Sequence, residues 1–255
     1  MSSSKAETLR RLHHEPPILV LPNVWDVATA RIFERLGAPA IATSSAAVAW
    51  ALGYPDGEAI PQREMLDWVA RIARAVDLPV TADLEAGYGD PGGTARAALE
   101  AGAVGLNLED ANVPLEQHVE AVRAVRAAAP EIVVNARTDV FLDGDRDFDD
   151  AVRRANAYLE AGADCAFVPG VADAETIGRL VEAIDGPVNI LATKGCPPVA
   201  ELERLGVARV SVGSGIGRGT YRHAERLARQ VLEQGTYGYV DDEFGYADLN
   251  AILEA

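Results

Sequence analysis

The feature that most restricts this chain is an alternation of eight short apolar runs with amphipathic stretches of about 10–15 residues, the pattern of parallel β/α units. The runs are Ile18–Val24, Ala40–Ser44, Pro79–Glu85, Gly105–Asp110, Ile132–Thr138, Cys165–Pro169, Val188–Thr193 and Arg209–Gly213. Between them, segments such as Pro61–Ala75, Leu115–Ala129 and Phe148–Ala161 carry Ala, Leu, Val, Arg and Glu at helical spacing, each opened by or just after Pro or Asp. A second regularity doubles the unit. The even-numbered strands follow Leu36-Gly37-Ala38, Ala101-Gly102-Ala103, Ala161-Gly162-Ala163 and Leu205-Gly206-Val207, where Gly suits the left-handed end of a helix. The odd-numbered strands follow Pro17, Pro79, Pro130 and Pro187. Eight strands in four doubled units predict an α/β chain folded as a (β/α)₈ barrel, one domain over residues 1–255. Residues 236–255 follow the last barrel helix and hold Tyr237, Tyr239, Phe244, Tyr246 and Leu249, so they are expected to be an extension that packs on its own barrel or on a neighbouring subunit.

Charge narrows the partners. With 23 basic and 39 acidic residues the formal net charge is −16, which opposes a nucleic-acid groove or an anionic membrane surface but permits a compact basic pocket for a small anion. No apolar run reaches the roughly 18 residues of a membrane span and the first fifteen residues are polar, so a cytoplasmic location is expected. Cys165 and Cys196 are the only cysteines, too few for a disulfide scaffold or a Cys-rich zinc site.

In such a barrel, chemistry gathers where strands end. The third strand ends Asp83-Leu84-Glu85 and the fourth ends Glu109-Asp110, while Asp56 sits in the Gly-Tyr-Pro-Asp-Gly loop that follows the second. Strand alternation aims Asp83 and Glu85 the same way. Four carboxylates at one mouth repel one another, and a hard divalent ion with oxygen ligands, Mg²⁺ or Mn²⁺, relieves that repulsion; an ion-paired polar core is the alternative. Arg137 at the end of the fifth strand can bind a planar carboxylate or neutralise the acidic ring. Lys194 after the seventh strand is one of only two lysines and fits either an anion or Schiff-base site or an ordinary surface loop. Asp90 and Asp110, taken singly, read more readily as helix caps than as ligands. None of His13, His14, His118 and His223 falls at a strand end, and neither Cys has a His partner in sequence. The Gly213–Gly217 run reads as a phosphate loop or, more simply, as a tight turn into the last helix.

These motifs, from Pro22-Asn23-Val24-Trp25-Asp26 through Thr43-Ser44-Ser45, Leu52-Gly53-Tyr54-Pro55-Asp56, Asp83-Leu84-Glu85-Ala86-Gly87-Tyr88-Gly89 and Leu108-Glu109-Asp110 to Asn135-Ala136-Arg137-Thr138-Asp139, resemble the isocitrate lyase/phosphoenolpyruvate mutase superfamily over nearly the whole chain. The resemblance implies a (β/α)₈ barrel assembled as a homo-oligomer, dimer or tetramer, whose subunits exchange the eighth helix. It implies cleavage or formation of C–C or C–P bonds beside a 2-oxo acid, through an enolate held by Mg²⁺. By position, Asp83 would ligate the metal directly, and Asp56, Glu85 and Glu109 would hold its waters. Ser44, Ser45 and Ala46 would bind the substrate carboxylate or oxyanion, with Asp83, Arg137 and Lys194 as further substrate contacts; Arg137 and Asp56 would act in catalysis. Two departures stand out. Only Asp110-Ala111-Asn112-Val113-Pro114 follows the fourth strand, without the Lys, Cys or His of the family's mobile loop, and Glu85 replaces an Asp of several members. The expectation is therefore a Mg²⁺-dependent lyase or decarboxylase of a small 2-oxo or 2-hydroxy di- or tricarboxylic acid. A weakly catalytic 2-oxo acid binding protein and a phosphonopyruvate-type mutase or hydrolase are the alternatives.

Overall fold

The computed structural model of the chain describes residues 2–142 and 147–254. Helix α1 (Ser2–Leu12) precedes the barrel, and the first barrel strand is split at Pro22 into β1 (Leu19–Leu21) and β2 (Asn23–Val24). There follow α2 (Val27–Arg35), β3 (Ile41–Thr43), α3 (Ser45–Ala51), α4 (Gln62–Ala75), β4 (Val80–Asp83), α5 (Pro91–Glu100), β5 (Gly105–Glu109) and α6 (Leu115–Ala128). The second half continues with β6 (Val133–Arg137), α7 (Phe148–Glu160), β7 (Cys165–Val168), α8 (Ala174–Ala183), β8 (Val188–Leu191), α9 (Val199–Arg204), β9 (Arg209–Ser211), α10 (Gly215–Arg229) and α11 (Tyr246–Glu254).

All strand pairs are parallel, in the order β1-β9-β8-β7-β6-β5-β4-β3-β2. Since β1 and β2 are halves of one run, the eight-stranded cylinder closes through Pro22. Proline has no N–H to give to a ladder, and pairing changes sides around it: β1 bonds to β9, and β2 bonds to β3. The seam is stitched by Asn23, whose Oδ1 accepts from the N–H groups of Val212 (3.0 Å) and Gly213 (2.8 Å) while its Nδ2 donates to the Thr43 carbonyl at 2.9 Å. The four glycines expected after helices, Gly37, Gly102, Gly162 and Gly206, all adopt positive φ.

Outward-facing residues of the strands, among them Ala82, Leu106, Leu108, Val134 and Ala136, pack under the helical ring with Ala95, Ala98, Val122 and Val125. Inside the barrel the layers differ. The floor is apolar, with Leu9 of α1 plugging it against Leu19, Leu21, Ala42 and Val133. Above it Asn23, Asn107, Asn135, Asn189 and Arg209 are buried. Such polarity is unusual in a barrel interior, which branched apolar side chains normally fill.

Two elements stay largely uncovered. Along α10 only Gly217 is buried, where an added Cβ would crowd Ala47 and Trp25. The expected aromatic extension packs on its own barrel only in part: Ile252 is buried, but Tyr237, Phe244 and Tyr246 are exposed. Its last residue, Ala255, lies outside the described residues. No described helix is long and apolar enough to cross a membrane.

Candidate active site

Strand register assembles the mouth. Partners in a parallel ladder point to the same face, and two rows spiral up the interior. Asp83, Asn107 and Asn135 are successive partners across β4, β5 and β6. In a second row Glu109, Arg137, Phe167, Asn189 and Arg209 follow one another across β5 to β9. Where these rows open, a cavity of about 130 Å³ is lined by Asn23, Ser44, Ser45, Ala46, Asp56, Asp83, Asn107 and Arg137 on one side; Phe167, Pro169, Leu191 and Leu142 form another side, and Ser211, Gly213 and Ser214 complete it.

Asp83 is held firmly. Its Oδ2 accepts from the Ser45 N–H at 3.0 Å and the Ser45 hydroxyl at 2.8 Å, and the Asn107 carboxamide donates to Oδ1 at 3.5 Å. Asn107 is oriented in turn, because its Oδ1 accepts from Asn135 at 2.7 Å and from the buried Arg209 guanidinium at 3.4 Å. Ser44 caps α3, placing the first N–H groups of that helix at the cavity, where such groups lack intrahelical partners. Arg137 donates through Nη1 to Glu109 (2.6 Å) and through Nε to Asp139 (2.5 Å). Two carboxylates thus set the plane of its fork.

The remaining acids stand behind this first ring. Strand alternation stops at Asp83, because Glu85 takes a left-handed backbone conformation (φ 53°), as do Glu58 (55°) and Tyr88 (54°) beside it. Three non-glycine residues in that sparsely allowed region mark a strained pair of loops. They are pinned by the Glu58 N–H, which donates to Glu85, and by Glu58 Oε1, which accepts from the Tyr88 N–H at 2.8 Å. Glu85 and Glu109 therefore flank the cavity, and of the four acids expected at the mouth only Asp56 and Asp83 line it.

Crowding shows in their protonation. Burial pushes the Glu109 carboxyl up to about 8; Arg137 opposes this in part, and Asp83, Asp139 and Glu85 reinforce it. Glu85 is pushed up to about 7, again first by burial, with the bond from Glu58 opposing and Asp83 and Asp56 adding repulsion. Asp56 is raised by burial, against its bond from Gly57, and further by Asp83. Arg137 moves the other way: burial would lower it, but Glu109, Asp139 and Asp83 together raise it. Glu85 Oε1 is buried without a hydrogen-bond partner. An orphaned carboxylate oxygen amid hard oxygen donors fits a divalent cation better than a soft metal. Among the described residues no three His, Cys, Asp or Glu side chains form a ready direct cage.

Other candidates fall away from this centre. Lys194 is exposed in the segment between β8 and α9 and is absent from the cavity wall. His13 and His118 are buried outside the cavity, the former bonded to the Leu9 carbonyl and the latter packed edge-on against Tyr158. The Cys165 thiol is pushed up to about 12 by burial, as befits a core residue. Asp90 caps α5, accepting from the Gly93 N–H at 2.9 Å. The Gly-rich run after β9 is a turn into α10, with Gly213 at φ 53°. Sequence reading did not single out Asn107, Arg209, Phe167 or Leu191. The available signal was Asn and Arg at alternating positions of otherwise apolar strands, where such residues are disfavoured.

The profile of the family described as phosphoenolpyruvate phosphomutase matches residues 9–232. The 2-methylisocitrate lyase of Halalkalibacterium halodurans is 30% identical over 251 residues, covering 91% of this chain and 83% of that protein. The oxaloacetate decarboxylase of Pseudomonas fluorescens is 32% identical over 234 residues, covering 84% and 80%. A crystal structure from Burkholderia cenocepacia J2315 superposes with a TM-score of 0.94 at 37% identity, covering 100% of this chain and 97% of that one.

Proposed function

The chain belongs to the phosphoenolpyruvate phosphomutase family, within the isocitrate lyase/phosphoenolpyruvate mutase superfamily, and from that premise we propose that it is a Mg²⁺-dependent carbon–carbon lyase, foremost a decarboxylase, of a small 2-oxo or 2-hydroxy di- or tricarboxylic acid. The observation that carries the proposal is the pairing across one cavity of an Asp83 fixed by Ser45 with an Arg137 fixed by Glu109 and Asp139.

Asp83 would hold the ion directly, with Asp56, Glu85 and Glu109 reaching its waters, which suits the few direct carboxylates and several retained waters of Mg²⁺. Bound there, the ion would supply Lewis-acid polarisation of the substrate's C2 oxygen. The chain's own residues do the rest. At the start of α3, where Ser45 is committed to Asp83, the Ala46 N–H and the Ser44 hydroxyl receive the C1 carboxylate. Arg137 receives the distal carboxylate, and its preset plane limits the reorganisation needed on binding. The segment Asp110–Pro114 is a tight turn, with Val113 N–H bonded to the Asp110 carbonyl at 2.9 Å and Pro114 directly before α6. It carries no Lys, Cys or His, and its one acid, Asp110, is enclosed and committed to Arg154 and Tyr158 rather than offered to a leaving carbanion. Loss of CO₂ from a β-keto acid tolerates that lack, because the departing group is neutral and water can supply the proton to C3. Aldol-type cleavage of a 2-hydroxy acid needs both a base at the hydroxyl and an acid at the leaving carbon.

The same reading extends to assembly. The exposed length of α10 and the exposed aromatic residues beyond it support a homo-oligomer in which a second copy covers them. The test of function is formation of 2-oxo acid product from oxaloacetate, its alkyl derivatives and 2-hydroxy di- and tricarboxylates with Mg²⁺ or Mn²⁺. We expect turnover that requires the metal. Folded, metal-loaded protein that binds these acids calorimetrically without turnover would instead make it a 2-oxo acid binding protein.

A further inference from the structure

We propose that the cavity is divided by polarity so that its β7–β8 side takes an apolar substituent on C3 of the substrate, which makes the preferred substrates C3-alkylated malate- or oxaloacetate-like diacids and excludes tricarboxylates. The inference rests on the reading of the site as one for 2-oxo or 2-hydroxy acids, and it narrows that class.

The division is visible in the lining. Ser44, Ser45, Asp56, Asp83 and Asn107 occupy the β3–β5 side, and Arg137 stands at its border on β6. Beyond Arg137 the wall is Phe167 and Pro169 at the end of β7, Leu191 at the end of β8, and Leu142 after β6. Phe167 is 5% exposed, and Pro169 is buried as well. Register explains the change of character. The residue opposite Arg137 on the next strand is Phe167, and the residue opposite Ser211 is Leu191. Among the described residues Arg137 is the one cation in the cavity wall. Arg209 is fully buried and bonded to Ser211 and Asn107, both of which do line the cavity.

A substrate with its C1 carboxylate and C2 oxygen on the polar side and its C4 carboxylate on Arg137 must direct a C3 substituent at Phe167 and Leu191. An alkyl group there is removed from water against carbon. A third carboxylate there would lose its hydration and, among the described residues, meet only the Ser211 hydroxyl, which already donates to Asn189, a strongly unfavourable exchange. The cavity is also well below the roughly 300–1,000 Å³ of sites for drug-sized ligands, in keeping with a short substituent.

The matched probes are malate, 3-isopropylmalate and isocitrate, which differ at C3 by hydrogen, a branched alkyl group and a carboxymethyl group. Oxalate serves as a probe of the polar side alone. Each is titrated calorimetrically into the full chain with Mg²⁺. Burial of one methylene is worth about a fourfold gain in affinity, so 3-isopropylmalate is expected to bind at least about tenfold more tightly than malate. Isocitrate is expected to bind more weakly than both. Leu191→Lys should reverse the order of 3-isopropylmalate and isocitrate, and Leu191→Asn should erase the alkyl preference without adding charge, which covers the case of a Lys variant that does not fold. Isocitrate binding as tightly as 3-isopropylmalate to the wild-type chain would overturn the inference while leaving the metal-assisted acid site intact. Failure of oxalate as well to bind in the presence of Mg²⁺ would overturn that broader reading, and this one with it.

Discussion

Glu109 and Asp110 are sequence neighbours, largely withdrawn from solvent, yet they lie in opposite electrostatic settings. Glu109 faces the barrel interior, where burial and three nearby carboxylates outweigh its one guanidinium partner and hold its carboxyl up at about 8. Asp110 is at the strand's end with its side chain fully enclosed, and every neighbour is a donor: the Tyr158 hydroxyl at 2.7 Å, Arg154 at 3.1 Å, and the N–H groups of Asp139 (3.0 Å) and Asn112 (3.1 Å). The first carboxylate is crowded and suited to receive a cation. The second is satisfied and ties the turn after β5 to β6 and α7. A buried acid therefore says little by itself about function; the sign of what surrounds it decides.

The largest expected effect breaks the satisfied member. Asp110→Ala leaves Arg154, whose side chain is only 11% exposed, with Asp150 as its remaining ion-pair partner beside neutral acceptors at Val113 and Tyr158, and strips the Tyr158 hydroxyl of its acceptor. Removing one partner of a buried ion pair typically costs about 3–5 kcal/mol, and urea unfolding should read a loss of that order. A loss below about 1 kcal/mol would show that the turn does not depend on Asp110.

Next comes the crowded member's cation. At a hundredfold excess over its Kd, an ion that binds only the folded chain stabilises it by about 2.7 kcal/mol. Mg²⁺ or Mn²⁺ should therefore raise the melting temperature, and Asp83→Ala should abolish the rise while leaving the fold intact. An equal rise in that variant would remove Asp83 from the role of direct ligand.

This contrast shows how far the sequence could be read. Eight strands, the glycine and proline entries and the helix bounds at 115 and 148 follow from local periodicity and turn chemistry, which single residues announce. Asp83 and Arg137 are legible because strand ends in a barrel all converge on one mouth, and Ser45 through the family resemblance. What the sequence conceals is what depends on register and loop path. Glu85 looks coplanar with Asp83 until its backbone turns left-handed. Asp110 looks like a cap until α7 delivers Arg154 and Tyr158 to it. The Phe167 and Leu191 wall requires knowing which residue of β7 lies opposite Arg137. Lys194 illustrates the converse, since a cation just past a strand's end need not reach the mouth.

A third prediction separates the two environments by pH. Glu85 and Glu109 are raised from 4.5 to about 7 and about 8, so between those values the folded chain holds more protons than the unfolded one. Their contribution is therefore favourable at low pH and is lost as pH rises through about 7 to 8. Without metal, stability should fall on the order of 2 kcal/mol from pH 6 to pH 8. Mg²⁺ should stabilise more at pH 8 than at pH 6, because it competes with those protons. His13 and His118 give the opposite limb. Burial lowers both from 6.5 to about 4, so the unfolded chain binds more protons in that window, and their contribution falls as pH drops from about 6.5 toward 4. The two limbs oppose each other between about 4.5 and 6.5, so melting curves from pH 4 to 9 should be highest and nearly flat in that range without metal and fall above it, with the upper limb flattened by Mg²⁺. An upper limb of the same slope with and without the ion would detach Glu85 and Glu109 from the metal site.

The smallest effect sharpens the comparison by supplying a charge that belongs to neither environment. Lys194 is exposed, joins no ion pair among the described residues and does not line the cavity. Lys194→Ala should change stability by no more than about 0.5 kcal/mol, the range of ordinary surface substitutions. Oxalate affinity in the presence of Mg²⁺ should also stay within twofold. Arg137→Ala, by contrast, removes the cavity's cation and leaves Glu109 with its repulsive neighbours alone, so binding of diacids should collapse even where Mg²⁺ is retained. If Lys194→Ala weakened diacid binding as much as Arg137→Ala, the segment after β8 would have to fold over the mouth when substrate is bound, and the distal carboxylate would then belong to two cations rather than one.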